Sequence, residues 1–313
     1  MNQSISTKFM TKDEWLKERQ RGIGGSDVAA ILGLSNWKTP LEVYNDKTAE
    51  VPIVIEENPK MKAGIMLEQV IADYYAEETG FKLQQDHKIR IHPNYPFMIG
   101  DMDRVIVSAN GNGPGVFEAK STSSMYQRTW EHEIPLMYFA QVQHYFFVTN
   151  YQWGEIGLLI DGWDFRHIPM EPAEDYMKLM LEKCESFWND HVLKRIPPPP
   201  MNEADLKLLF DRSTTGKQVM ASDDIQRLAL QSKTLKEEIS PLTKDRNSIN
   251  SELKVFMEDA EVLVAPGSET VLATFKTAKD KLKFDEKRFK TDHADLYAQY
   301  CDMVPGNRSL LIK

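Results

Sequence analysis

The chain has 313 residues, enough for one large domain or two smaller ones with an ample core, and its 42% hydrophobic and 27% charged content is that of a globular protein in water. Two distant cysteines, Cys184 and Cys301, exclude a disulfide framework or a zinc ribbon and point to a reducing cytoplasm. A net charge of −9 argues against a broad, non-specific DNA surface, although a narrow channel in which metal ions neutralise phosphates stays open to an acidic protein.

The first twenty residues carry Lys8, Lys12, Asp13, Glu14, Lys17, Glu18 and Arg19, which is no secretory signal. No apolar run approaches the ~20 residues that span a membrane. Helix patterns fall at residues 11–19, 26–32, 40–46 and 65–78. Strand patterns follow at 83–91, 98–107 and 116–120, then a helix at 136–148 and a strand at 153–160. This alternation predicts a mixed sheet flanked by helices. Residues 172–192 read as an amphipathic helix, and Pro197 to Pro200 form a stiff extended spacer. The expected division is a first domain over 1–200, a linker with a short helix over 201–222, and an accessory region over 223–313.

In that accessory region Leu228, Leu235, Leu242, Ile249 and Phe256 recur every seven residues, joined by Ile225, Ile239 and Leu253. The pattern resembles a coiled-coil seam interrupted at Ser232 and Arg246. Ser240-Pro241 predicts a kink or a split into a helical pair, with Ser240 as cap, packing on a partner surface. Residues 262–264 and 270–276 read as a hairpin, short helices follow, and 309–313 reads as a final strand. Seven basic side chains (Lys276, Lys279, Lys281, Lys283, Lys287, Arg288 and Lys290) face only Asp280, Asp285 and Glu286 over 276–290, either a DNA-facing patch or a solvated surface.

The chemistry concentrates around Glu118-Ala119-Lys120. Side chains two apart on a strand share a face, so Glu118 and Lys120 look into one site, and Asp103 reaches it from the preceding strand. Two carboxylates hold a hard divalent cation, and a lysine beside them can orient or deprotonate an attacking water. Alone the tripeptide is weak: about one Glu-x-Lys is expected by chance at average composition, and a cross-strand ion pair on a solvated face explains it more readily.

Four further features bear on it. Glu68 lies near the start of an apolar helix, where it serves either the helix dipole or a metal site. Gln141 and Tyr145 share one helical face and can brace metal ligands or phosphate. The run Arg19-Gln-Arg-Gly-Ile-Gly-Gly-Ser26-Asp27 leads into a helix, with Ser26 as expected cap. Its open backbone amides, with Arg19 or Arg21, make a ready phosphate site. Trp37 serves packing or base stacking.

Together these residues resemble the YqaJ branch of the phage lambda exonuclease family, within the PD-(D/E)XK nuclease superfamily. The resemblance rests on Arg-x-x-Gly-Ile-Gly-Gly-Ser-Asp-Val-Ala-Ala-Ile-Leu-Gly-Leu-Ser-x-Trp-Lys-Thr-Pro, the Leu-Glu68 helix, Asp103, Glu118-Ala-Lys120 and Ala-Gln141-Val-Gln-His-Tyr145, in the right order over residues 15–165. The tail, with Phe284-Asp285 and Asp295-Leu-Tyr297, also looks like the accessory region of phage relatives. The resemblance implies a restriction-endonuclease-like core that degrades one strand of linear duplex DNA from its 5′ end. The 3′ overhang it leaves would serve a single-strand annealing protein in recombination, in the cytoplasm of a bacterial host of phage or prophage. It implies Mg²⁺ or Mn²⁺, two ions, on Glu68, Asp103, Glu118 and the Ala119 carbonyl. Lys120 would activate water, Gln141 and Tyr145 would support the site, and Arg19 and Ser26 would hold the terminal 5′-phosphate. Lambda-type members are ring-shaped trimers, which implies a homo-oligomer.

One departure stands out: Met102-Asp103-Arg104 replaces the usual Pro-Asp-Gly, and Asp101 shares a strand face with Asp103, leaving either as ligand on register alone. Two rival readings remain, a structure-specific or restriction-type endonuclease on the same fold and a catalytically silent recombination scaffold.

Overall fold

A computed structural model describes residues 3–54, 56–108, 111–126, 130, 133–304 and 306–313. The chain divides into two compact units, Met1–Leu209 and Phe210–Lys313.

The first unit opens with β1 (Gln3–Ser6) and three short helices, α1 (Lys12–Gln20), α2 (Gly25–Ile31) and α3 (Pro40–Thr48). Capping boxes start α1 and α3: Thr11 with Glu14, and Thr39 with Glu42, the latter with Pro40 in the first turn. Helix α4 (Pro59–Thr79) starts earlier than its apolar run suggests, because Asn58 caps it and Pro59 opens it. Gly80 ends it at φ +72°, a left-handed conformation suited to glycine.

Strands β2 (Lys82–Gln85) and β3 (Lys88–Ile91) replace the single strand expected over 83–91, and β4 (Ile99–Gly100) and β5 (Arg104–Ser108) replace that over 98–107. In both places the chain changes sheets. Strands β1, β3 and β4 form one sheet; β2 and β5 belong to a second, completed by β6 (Gly115–Thr122), β7 (Gly154–Ile160) and β8 (Asp164–Met170) in the order β2-β5-β6-β7-β8. Only β6 and β7 pair in parallel in this mixed sheet. Their connection contains α5 (Leu136–Thr149), as a parallel pair requires a crossover.

Alternation along β6 sorts its side chains. Phe117 and Ala119 pack with Ile71, Ala72 and Tyr75 of α4 and with Leu159. Val116 joins Val142, Tyr145 and Phe146 of α5 in the larger core. Glu118 and Lys120 share that second face, so the polar pair lies against α5. Helix α6 (Glu174–Ser186), continued by a π-helical turn Phe187–Val192, adds Met177, Met180, Cys184 and Phe187 to the same core. Beyond the prolines, α7 (Glu203–Leu209) stays with this unit, because buried Asp205 accepts hydrogen bonds from Thr39 Oγ1 (2.8 Å) and the Met201 amide (2.8 Å).

The second unit is built on α8 (Asp223–Met257), 35 residues long and capped by Ser222. It runs unbroken through Pro241, so the expected split into two helices does not occur. The carbonyl of Glu237 that loses its partner there is on an exposed turn, where water can bond it. Strands β9 (Val262–Val264) and β10 (Val271–Thr274) form the expected antiparallel hairpin, followed by α9 (Glu286–Asp292) and α10 (Ala294–Gln299). Residues 309–313 form no strand; Arg308 instead donates to the Phe210 carbonyl (2.9 Å). All seven basic side chains of 276–290 are exposed.

Candidate active site

Glu118, at 1% exposure, is the centre of a hydrogen-bonded cluster. Its Oε1 accepts from Lys120 Nζ (2.5 Å) and from Gln141 Nε2 (2.6 Å). Gln141 also donates to the Tyr145 hydroxyl (3.0 Å), which in turn donates to the Asp101 carbonyl (3.0 Å). The four-residue spacing on α5 places Gln141 and Tyr145 on one line down to the strand. Lys120 Nζ also lies 5.0 Å from the centre of the Tyr138 ring.

Asp101 and Asp103 diverge because they fall in the gap between β4 and β5. Asp103 Oδ2 accepts the Ala119 amide (3.0 Å) and so faces β6. Asp101 Oδ2 accepts the Trp15 indole N–H (2.7 Å) and faces α1. Arg104, beside Asp103, turns away and donates to Gln69 (2.7 Å).

Electrostatics joins Glu68 to this group. Burial, then the charge of Asp103, pushes its carboxyl up to about 7, against the pull of Lys120 and Arg104. Burial and the same Asp103 charge push Glu118 up to about 8, despite Lys120. For Lys120, burial works against the charge, but Glu118 and Asp103 more than reverse it and hold the ammonium above its ordinary range. Glu68 lies in mid-helix, since α4 begins at Pro59, so the helix-dipole role is removed.

This donor set suits a hard divalent cation. The Asp103 charge raises the pKa of both Glu68 and Glu118, a repulsion a cation relieves, and Glu118 Oε2 is buried without a hydrogen-bond partner. Among the described residues, no three His, Cys, Asp or Glu side chains already stand in ligating geometry.

Residues Glu68, Asp101, Asp103, Gln141 and Tyr145 line a cavity of about 330 Å³ together with Trp15, Arg19, Gly24, Gly25 and Ser26. Glu118 and Lys120 are outside that lining. The Arg19 guanidinium lies over the Trp15 ring (4.7 Å) and donates to Ser26 Oγ (3.1 Å). Ser26 is not the cap of α2. Gly24 holds that position, and its amide donates to Asp27 Oδ2 (3.1 Å), which leaves the Ser26 hydroxyl exposed within the first turn. Arg21 instead pairs with Glu18 (2.9 Å). Trp37 is 78% exposed, so it does not pack in the core.

Sequence reasoning missed the support beneath this loop. Buried Asp27 pairs with Lys47 (2.7 Å) and Lys38 (3.0 Å), and Lys47 also donates to the Arg19 carbonyl (2.9 Å). Burial raises the Asp27 pKa, but Lys47, Lys38 and Arg19 together hold it far below the usual range. The acid three residues after Gly24 was the available signal; the lysines, 11 and 20 residues further on, gave none. Gly25 is fixed by packing, since a Cβ there would meet the Tyr145 ring at 2.8 Å.

Residues 14–152 match the family model of the YqaJ-like viral recombinase domain. The chain is 32% identical over 295 residues to the uncharacterized protein YqaJ of Bacillus subtilis (strain 168), covering 92% of this chain and 90% of that one. An alkaline exonuclease of Laribacter hongkongensis, LHK-Exo, is similar in structure. Its complex with dAMP superposes with a TM-score of 0.50 at 17% identity, over 63% of this chain and 97% of that one. At such identity the likeness concerns the fold: a mixed sheet flanked by helices.

Proposed function

The chain belongs to the YqaJ family of viral recombinases, and we propose that it is a nuclease of recombination: a divalent-metal-dependent 5′-to-3′ exonuclease on linear double-stranded DNA. It leaves 3′ single-stranded overhangs for a single-strand annealing protein, and acts as a homo-oligomer in the cytoplasm of a bacterial host. No helix among the described residues is long and apolar enough to cross a membrane. The observation that carries the reading is one cavity lined both by the Arg19–Ser26 pair and by Glu68, Asp103, Gln141 and Tyr145. An end-binding group and a hydrolytic group so joined suit removal of terminal nucleotides.

Glu68, Asp103, Glu118 and the Ala119 carbonyl would hold Mg²⁺, with Mn²⁺ as substitute and two ions as the expected number. When bound, the metal supplies positive charge to the scissile phosphate and makes water a stronger nucleophile at neutral pH. Asp103 is the preferred ligand over Asp101 because its carboxylate turns to β6 while that of Asp101 is engaged by Trp15. Lys120, charged beside Glu118, donates hydrogen bonds that orient the attacking water and the phosphate oxygens. Gln141 and Tyr145 fix the Glu118 carboxylate as a braced chain. Arg19, stacked on Trp15 and bonded to Ser26, presents its guanidinium edge to a terminal 5′-phosphate.

The test compares wild type and Arg19→Ala on linear duplexes with 5′-phosphate or 5′-hydroxyl ends, and on closed circles, in Mg²⁺. The expected outcome is digestion of linear duplexes alone, with Arg19→Ala losing rate mainly on phosphorylated ends. Cutting of closed circles would place the protein among endonucleases, and equal losses on both ends would remove Arg19 as the anchor.

A further inference from the structure

Positive charge in the second unit is concentrated in one place. Over residues 276–290 seven basic side chains stand against three acidic ones, while the remainder of 210–313 carries ten against fourteen. All seven cations are exposed, and only Arg288 forms an ion pair, with Asp292 (3.4 Å), among the described residues. Two of the three acids are engaged elsewhere. Asp285 Oδ1 accepts the Arg288 amide (3.0 Å) as the cap of α9, and Glu286 accepts the Tyr297 hydroxyl (2.6 Å). A local positive field of this kind in a chain of net charge −9 marks a polyanion site. We propose that residues 275–290 bind single-stranded DNA.

Aromatic side chains select a single strand over a duplex. Phe275 and Phe284 bracket residues 276–283 and are both exposed, Phe284 to 66%. The Phe284 ring lies 5.0 Å from that of Phe289, which in turn lies 5.3 Å from His293. A ring supported on one side and open to solvent on the other is a platform on which an unpaired base can stack, whereas a duplex keeps its base faces covered. Lys279, Lys281 and Lys283 stand at every second residue with Phe284 directly after them, so phosphate and base contacts adjoin along the segment. Residues 276–284 make no main-chain hydrogen bond among the described residues, which leaves their amides open to phosphate oxygens. An anionic lipid surface attracts the same charges. It favours an amphipathic helix, however, and residues 276–285 form none.

The proposed nuclease activity supplies the strand. Digestion of one strand from its 5′ end leaves the other unpaired, and a site in the second unit retains that product. The proposal rests on the nuclease reading for the source of the strand and not for the binding itself. Away from 276–290 the chain is more acidic still, so the segment supplies the attraction that the other surface lacks.

The test uses the full chain in chelator, which separates binding from hydrolysis, so failure of the nuclease reading would leave its outcome intact. The probe is a 5′-fluorescein oligothymidylate of about 20 nucleotides, longer than one such site covers and without a 5′-phosphate for Arg19, read by anisotropy. The triple variant Lys279→Gln, Lys281→Gln, Lys283→Gln should bind about tenfold more weakly at low salt, and the slope of log affinity against log salt should fall by about 2. The triple variant Lys217→Gln, Lys233→Gln, Lys244→Gln makes the same change of charge at exposed positions of the same unit and should match wild type. Phe284→Ala should weaken binding about fivefold or more with the salt slope unchanged, and Phe284→Tyr should restore it. Equal losses in the two lysine triples, an unchanged slope in the first, or full affinity in Phe284→Ala overturns the proposal. So does tighter binding of duplex than of single strand, or binding of phosphatidylserine vesicles in preference to the oligonucleotide.

Discussion

Replacing Asp27 by asparagine removes one negative charge from beneath the Arg19–Ser26 loop. Lys47, whose side chain is 1% exposed, then loses an ion pair at 2.7 Å and keeps only the Arg19 carbonyl and an Asp46 oxygen at 3.5 Å. Removing one partner of a buried pair costs roughly 3–5 kcal/mol, and Asp46 offsets part of that, so a loss of about 3 kcal/mol is expected. For a unit of this size that corresponds to a fall of about 6–12 °C in Tm. Calorimetry of wild type and Asp27→Asn across pH supplies the assay. The folded-state pKa of Asp27 lies below its unfolded value of 3.8, so its stabilisation is fully present above that value and fades as pH falls through the folded pKa. The difference between the two proteins should therefore hold constant from pH 8 to about pH 5 and shrink only below about pH 4. A variant within 0.5 kcal/mol or so of wild type, the range of ordinary surface changes, would refute the reasoning. So would a difference that has already vanished at pH 6.

Other perturbations separate site from scaffold. In chelator, Glu118→Gln should be more stable than wild type above neutral pH, because it removes a buried carboxylate whose pKa is raised from 4.5 to about 8. That raised value makes wild-type stability decline as pH rises from about 4.5 to about 8; the variant should lack this slope and lose hydrolysis, and an unchanged Tm–pH curve contradicts it. Tyr145→Phe removes the donor to the Asp101 carbonyl and the acceptor for Gln141. It should slow hydrolysis about tenfold, on the scale of a 1–1.5 kcal/mol hydrogen bond, with the fold intact by circular dichroism; wild-type rates would discount the brace. Gly25→Ala drives a methyl into a ring that is hydrogen-bonded in place and should cost roughly 1–3 kcal/mol of stability, read by urea denaturation; an unshifted midpoint means the ring yields.

What the sequence made legible follows from local period. Two-residue alternation placed Glu118 and Lys120 on one face, and four-residue spacing aligned Gln141 with Tyr145. The seven-residue recurrence identified α8. Where competing local signals or long-range contacts decided, the reading failed. The run 98–107 is apolar enough for one strand, yet the chain changes sheets at Asp101 to Asp103, held by Trp15 and Tyr145 from distant elements. Asn58-Pro59 was a start signal outweighed by the apolar pattern that begins later, so Glu68 was placed in a first turn it does not occupy. Ser26 looked like a cap because the amide-binding acid, Asp27, stands one residue further on. The buried pairing of Asp27 with Lys38 and Lys47 joins α2, the loop after it and α3, and has no periodic signature.

The central claim is that Glu118, Lys120 and their carboxylate neighbours hydrolyse DNA ends with a divalent cation. The most direct measurement is release of nucleotides from a linear 5′-phosphorylated duplex by wild type and Lys120→Ala, each in Mg²⁺ and in chelator. Wild type should digest the duplex only in Mg²⁺, from the 5′ end of each strand, and Lys120→Ala should lose at least a hundredfold, the lower scale of a positioned proton-handling group. Full activity in Lys120→Ala, or wild-type digestion undiminished by chelator, would contradict it.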